Sequence, residues 1–250
     1  MAVDVRAPRV EFAPIQPLRA HEYVAEQIRR HISLRLIRPG ESLPSERELA
    51  SMFGVGRPTI QHALRLLEAD HLVEARRGRK GGTFVSAPEQ DSDAMEDKIA
   101  RLLARVKELD ELLVFRSALE PQIARLAAGS RRKADVSAMR REIAAMEGAT
   151  SDADYMRHDT ELHLAIARAT RNRFLDTAAE DIRMKLNDAL SLLPESRAWH
   201  SRLDDEHVVL VDAIAAADED AAEAAMAAHV ANSDRGVRAA LAAIRRRTTI

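Results

Sequence analysis

The stretch that decides the fold is Leu43-Pro44-Ser45-Glu46-Arg47-Glu48-Leu49-Ala50, followed by Phe53-Gly54-Val55-Gly56-Arg57-Pro58-Thr59-Ile60. Ser45 stands three residues before Glu48, the spacing at which a hydroxyl and a carboxylate cap a helix N-terminus reciprocally. A short helix therefore starts there, and Gly54 stops it. Gly56 and Pro58 open the next helix, proline being suited to a first helical turn. Ile60, Ala63, Leu64 and Leu67 form its apolar stripe. Two short helices around a glycine turn make a helix-turn-helix.

Upstream, Val24, Ile28, Ile32 and Leu36 recur every four residues, with Tyr23 and Leu34 near the same face. This predicts an amphipathic helix that stops at Arg38-Pro39-Gly40. Residues 1–17 lack periodicity and are read as an irregular arm. Downstream, Leu72-Val73-Glu74-Ala75 and Thr83-Phe84-Val85 are short β-competent runs. Between them lies the basic, glycine-bearing loop Arg76-Arg77-Gly78-Arg79-Lys80-Gly81-Gly82, so the pair predicts a hairpin wing.

A winged helix of this kind is built for DNA. The third helix fits the major groove, where its N-terminal residues Arg57 and Thr59, and Gln61 one turn in, meet base edges. Arg47 is placed to touch phosphate. Arg77, Arg79 and Lys80 give the wing its charge, and Gly81 allows close backbone approach.

Composition frames this head. The chain has 250 residues, no cysteine, 46% hydrophobic and 31% charged residues. That size fits one large or two smaller domains. The lack of cysteine excludes disulfides, thiol nucleophiles and cysteine-ligated metals. No long apolar run or signal core is present, so the expectation is a cytoplasmic protein with no membrane partner. Residues 1–87 carry 14 Arg and Lys against 10 Asp and Glu, whereas residues 88–250 carry 24 against 30. A mildly basic, turn-rich front thus precedes an acidic, Ala/Leu-rich back. The expected boundaries are an arm at 1–17, the winged helix at 18–86, a linker at 87–94 and an all-helical domain at 95–250.

The back reads as helix after helix. Apolar stripes run through Ile99–Val106, Leu109–Ala128, Val136–Met146, Asp152–Ala169, Phe174–Leu193, Glu195–Ala217 and Asp218 to about Arg245. Pro121 predicts a kink or break in the second. An antiparallel bundle of six or seven helices fits, so the chain is mainly α. Asp159 and His163 share one helix face, and His207 and His229 lie midway along two other helices. One Asp and three His can converge in a bundle core and suit zinc, nickel or manganese. By spacing alone, a helical histidine is more often an ordinary surface or core residue. His158 beside Asp159 points about a quarter turn away. Trp199 either lines a pocket or packs.

At these motifs the front resembles the DNA-binding domain of the GntR family of bacterial transcription regulators. The resemblance implies operator contacts from Arg47, Arg57, Thr59 and the wing around Gly81. Where the family usually carries Arg-Glu, this chain has Gln61-His62, and glutamine prefers adenine by edge geometry. The back, through Arg116-Ser117-Ala118-Leu119-Glu120-Pro121, Asp159 to Ala167 with Asn172, Glu206-His207 and Ala225-Met226 with His229, resembles the FCD ligand-binding domain of the FadR-like branch. That resemblance implies that Asp159, His163, His207 and His229 hold a divalent metal. Open metal positions would take a small carboxylate effector, with Arg116 as its second contact by a bidentate pair; the alternative for Arg116 is a surface pair with Glu120. The expected protein is a homodimeric, nucleoid-associated regulator of double-stranded operator DNA and not an enzyme. The competing readings are a metal-dependent enzyme with an appended DNA-binding head, and a metal-free regulator sensing a larger apolar ligand.

Overall fold

The computed structural model describes residues 19–78, 81–86, 99–100, 102–190 and 204–248. The arm, the linker, Arg79, Lys80, Trp199 and the start of the sixth back helix lie outside the described residues.

The head follows its local signals. Helix α1 runs Ala20–Ser33, α2 Glu46–Phe53 and α3 Arg57–Ala69. Ser45 accepts from the Glu48 backbone N–H, and Glu48 returns a bond to the Ser45 N–H at 2.8 Å. Gly54 closes α2 in the left-handed region at φ 65, a conformation that costs glycine little. Strand β1 (Val73–Arg76) pairs antiparallel with β2 (Gly82–Val85), Val73 opposite Val85. Val24, Ile28, Leu49, Ile60, Leu67, Val73 and Val85 close one small core.

The first helix departs from its expected extent. It ends at Ser33, and Arg35 turns the chain at φ 61. Leu34 and Leu36 therefore leave the α1 stripe and pack into the core of the back domain. Tyr23, expected near the buried face, is exposed. A four-residue period cannot tell which core an apolar residue enters once the helix has stopped.

Behind the head come α4 (Val106–Ser130), α5 (Lys133–Glu147), α6 (Asp152–Ala169), α7 (Arg173–Leu190), α8 (Asp204–Ala216) and α9 (Glu219–Thr248). The first predicted stripe is helical at 99–100 and 102–104, just before α4. Helix α4 continues through Pro121 without a break. Pro121 is itself buried beside Ile123, Ala124 and Ala127, so tertiary packing offsets the lost backbone bond. No strand occurs behind the head among the described residues. One apolar cluster joins α4, α5, α6, α8 and α9, and a second joins α4, α7 and α9 around Leu113, Ile182 and Val237.

Candidate metal centre and nucleic-acid interface

Helix α6 starts at Ser151, whose hydroxyl accepts from the Asp154 N–H. From that start, Asp159 and His163 fall one turn apart on the face that also buries Leu162 and Ile166. His207 shares its face of α8 with buried Leu210, Val211 and Ile214, and His229 sits among Ala222, Met226, Val230 and Ser233 of α9. The apolar residues aim each helix at the core, and the polar residue between them is carried in.

All four side chains are buried, and one ligand atom from each lies within 4.8 Å of the others. Two donors on opposite sides of an ion with bonds of about 2.1 Å would stand about 4.2 Å apart, so the group has the size of a coordination shell. Asp159 Oδ1 lies 3.3 Å from His207 Nε2 and 3.9 Å from His163 Nε2. The His207 and His229 rings are 4.5 Å apart between centroids, and His163 and His229 are 5.2 Å apart.

The chemistry of the donors matches a divalent ion. His163 Nε2, both ring nitrogens of His207 and His229 Nδ1 are buried and make no hydrogen bond to the protein. Leaving such nitrogens unpaired costs about 1–3 kcal/mol each. A neutral imidazole has one lone-pair nitrogen, so a cation relieves one nitrogen per ring, His163 Nε2 and one of the His207 pair among them. Burial, and next the Arg183 charge, push His163 down to about 3. Burial and the neighbouring His207 hold His229 well below its ordinary value. Burial raises the Asp159 carboxyl, but Arg183, His207 and His163 outweigh it and hold it well below the carboxylate range. At neutral pH Asp159 is therefore a carboxylate and His163 and His229 are neutral, the forms that bind metal.

A surrounding layer orients these donors. Arg183 Nη1 donates to Asp159 Oδ2 at 2.8 Å, which leaves Oδ1 toward the imidazoles. Glu120 Oε2 lies 3.4 Å from His163 Nδ1, and Glu206 Oε2 lies 3.3 Å from His229 Nδ1. Carboxylates in that position fix the tautomer of a ligating histidine. Glu120 is held by Arg116 Nε at 3.2 Å and Arg183 Nη2 at 3.8 Å. Its carboxyl stays well below the usual range because Arg116, Arg183 and His163 outweigh burial.

Arg116, expected as an effector contact, is already paired within the core. It is 1% exposed, and its Nη1 reaches Ser233 Oγ at 3.0 Å and Asp234 Oδ1 at 3.3 Å. The pair with Glu120 at helical spacing exists, but in the core rather than on the surface. Sequence reasoning did not find Arg183, or the facing roles of Glu120 and Glu206. The signal for Arg183 was present: it stands four residues after Ala179 and three before Leu186, on the α7 face that also buries Ile182 and Asn187. His158 turns away to Glu142 of α5 at 2.9 Å. Glu161 pairs with Arg168 instead of entering the site.

The head presents its expected readers together. Arg57 and Gln61 are exposed one turn apart on α3, Arg47 is exposed on α2, and Thr59 is half-buried. Glu46 Oε2 accepts from Gln61 Nε2 at 2.9 Å and faces Arg57 Nη2 at 3.2 Å. In the wing Arg77 is exposed, while Arg76 is drawn aside by Glu74 and lies 4.4 Å over the Phe84 ring. Gly81 is required by the turn itself: a Cβ there would stand 2.5 Å from the Arg76 carbonyl oxygen and 2.8 Å from that of Gly78.

Comparison with known proteins agrees with this division. Residues 20–85 match the bacterial regulatory proteins of the gntR family, and residues 111–232 match the FCD domain. The chain is 32% identical to the HTH-type transcriptional regulator LutR of Bacillus subtilis (strain 168), covering 78% of this chain and 91% of that one. It is 31% identical to the Uxu operon transcriptional regulator of Escherichia coli (strain K12), covering 86% and 85%. It is 27% identical to the transcriptional repressor NanR of Citrobacter rodentium, covering 87% and 85%. Among solved structures, E. coli McbR/YncC shares the fold with a TM-score of 0.54 at 14% identity, over 87% of this chain and 97% of that one.

Proposed function

We propose, for a chain that belongs to the gntR family of bacterial regulatory proteins and is a DNA-binding transcriptional regulator with an FCD domain, that a small organic acid held at a metal in this domain controls operator affinity. Its domains and relatives are those of regulators and not of enzymes.

The observation that carries the effector reading is the charge balance of the buried site. Two carboxylates, Asp159 and Glu120, stand against two guanidiniums, Arg116 and Arg183, all buried. The two histidines His163 and His229 are neutral. These two pairs of buried charges cancel. A divalent ion bound by Asp159, His163, His207 and His229 adds two positive charges that these four buried charges do not offset, the further carboxylates Glu206 and Asp234 lying partly exposed at the edge, and buried charge is costly unless paired. An anionic ligand offsets it. Four protein donors leave two positions on a six-coordinate zinc, nickel or manganese ion. When bound, the metal supplies a Lewis-acid anchor for a carboxylate. Arg183, whose buried Nε makes no hydrogen bond, supplies a cationic donor beside it, and Arg116, paired with Glu120 and Asp234, adds its charge close by.

The same helices reach the head. Arg30 of α1 pairs with Glu180 and Asp181 of α7, and Arg38 pairs with Asp154 of α6. Leu34 is buried in the back core. A ligand that favours one arrangement of α6 and α7 thus acts on elements that hold the head, and its differential affinity sets the change in DNA binding. In this account Arg47, Arg57, Thr59, Gln61, Arg77, Arg79, Lys80 and Gly81 meet a pseudo-palindromic operator. The domains divide at the 87–94 linker, and the protein acts as a homodimer in the cytoplasm at the nucleoid.

The test uses a duplex recovered from a randomised library by the full-length protein. Its Kd is measured by fluorescence anisotropy with zinc, nickel or manganese and a panel of hydroxy-acids and dicarboxylates. At least one acid is expected to shift Kd fivefold or more, with no shift after chelation. Operator affinity indifferent to every acid at every metal would overturn the reading.

A further inference from the structure

We infer that Glu46 is a positioning residue for base readout: it fixes the Gln61 amide and the Arg57 guanidinium as one reading unit and so sets the base that Gln61 accepts. The inference rests on the DNA-reading role proposed for α3.

The geometry is local and specific. Glu46 opens α2, one residue after the Ser45 cap and at the opposite end of that helix from the Gly54 turn, so it meets α3 through space and not through the turn. Its single oxygen Oε2 meets Gln61 Nε2 at 2.9 Å and Arg57 Nη2 at 3.2 Å. Arg57 and Gln61 are spaced i, i+4 on α3, so both side chains stand on one face. Glu46 reaches that face from the neighbouring helix. The Arg57 side chain is 64% exposed and that of Glu46 is 35% exposed, so the unit is open to a ligand.

A glutamine amide reverses its hydrogen-bonding sense when it flips by half a turn. Guanine shows two acceptors in the major groove, N7 and O6, whereas adenine shows one acceptor, N7, and one donor, N6. An unrestrained glutamine can turn its amino group to guanine and so tolerates either purine. Glu46 removes that freedom. A carboxylate accepts only, so Gln61 must keep its Nε2 toward Glu46 and its Oε1 away. One N–H is spent on Glu46. The other N–H and Oε1 remain, the donor and acceptor pair that adenine satisfies. Against guanine, Oε1 meets O6, two acceptors without a proton. The same carboxylate oxygen steadies Arg57, whose fork suits guanine at a neighbouring base. Glu46 therefore contributes discrimination rather than affinity, because its own charge opposes the phosphates.

The test takes the full-length protein and the duplex it selects from a randomised library. Kd values are measured on that duplex and on its single-base variants for the parent, Glu46→Gln, Gln61→Ala and the double variant. The base read by Gln61 is the one whose preference Gln61→Ala abolishes. Adenine over guanine is expected there. Glu46→Gln keeps the size of the side chain but can itself flip. It is expected to cut that preference at least fivefold while the best duplex loses less than threefold in affinity. In the Gln61→Ala background, Glu46→Gln is expected to cause no further change at the base that Gln61 reads, and any remaining effect is confined to the neighbouring base read by Arg57. A merely structural role for Glu46 would weaken all duplexes together, which overturns the inference. So would an unchanged purine preference in Glu46→Gln, or an unchanged set of preferences in Gln61→Ala. If the parent selects no sequence at all, the DNA-reading role fails first and the inference fails with it.

Discussion

Replacing Arg183 by methionine separates the charge of the site from its packing. Methionine keeps an unbranched, apolar chain of similar length, so the cavity left behind is small. What is lost is the cation 2.8 Å from Asp159 Oδ2 and 3.8 Å from Glu120 Oε1. Asp159 and Glu120 are both buried, and removing one partner of a buried pair costs about 3–5 kcal/mol because the other charge is left uncompensated. For a chain of this size about 1 kcal/mol moves Tm by about 2–4 °C. The chelated variant is therefore expected to melt roughly 6–20 °C below the chelated parent. With a divalent ion bound, Asp159 faces a second source of positive charge. We expect the metal to restore about half of the loss, so that zinc stabilises the variant by about 2 kcal/mol more than it stabilises the parent. Scanning calorimetry of tag-free protein, chelated and zinc-loaded, reads all four values. An equal loss with and without zinc would refute the argument that Arg183 and the metal serve the same carboxylate. A chelated variant as stable as its parent would refute the charge argument altogether.

Acid should weaken the metal-free protein. The folded pKa of His163, about 3, lies below its unfolded value, so its contribution is complete above about pH 6.5 and is lost as pH falls toward 3. Between pH 8 and pH 5 that loss is about 2 kcal/mol, and urea unfolding of the chelated protein beside His163→Gln should show a total loss larger by about that amount in the parent, since the lowered His229 adds its own loss to both. Gly81→Ala forces a Cβ onto two wing carbonyl oxygens, and overpacking of that kind costs about 1–3 kcal/mol. Amide exchange at 82–85 should quicken and operator affinity fall, while exchange in α6 stays unchanged. Ser45→Ala removes the α2 cap and should cost about 1 kcal/mol of head stability by chemical denaturation, because the Glu48 N–H loses its acceptor. No change in that stability would place the helix start elsewhere.

The head was legible because its signals are local. A capping box, a left-handed glycine, a proline in a first turn and two short β runs each act within a few residues, and each holds in the structure. Where Leu34 and Leu36 go was not legible, since that depends on a second core brought near by the fold. The back was legible as helices, because one buried stripe per helix shows in the period. The Asp/His group followed from residue type together with family resemblance, and the structure brings its four members together. Its supporting layer was hidden for a different reason. Arg183, Glu120 and Glu206 act across helices, and a charged residue on an apolar stripe reads as an exception until its partner is known. Arg116 shows the same limit from the other side. The i, i+4 pairing with Glu120 is visible in sequence, but its burial and its contacts with Ser233 and Asp234 are not.

The central claim is that the buried Asp159, His163, His207 and His229 group holds a divalent metal through which the regulator senses its ligand. Elemental mass spectrometry of tag-free protein beside His207→Ala tests it most directly, after exposure to zinc, nickel or manganese and removal of free ion. His207 is wholly buried, and its two ring nitrogens are bonded to nothing in the protein. The account predicts close to one ion per chain in the parent and a clear loss in the folded variant. Parent protein that retains none of the three metals would contradict it, and the DNA-binding head would then answer to a ligand bound without metal.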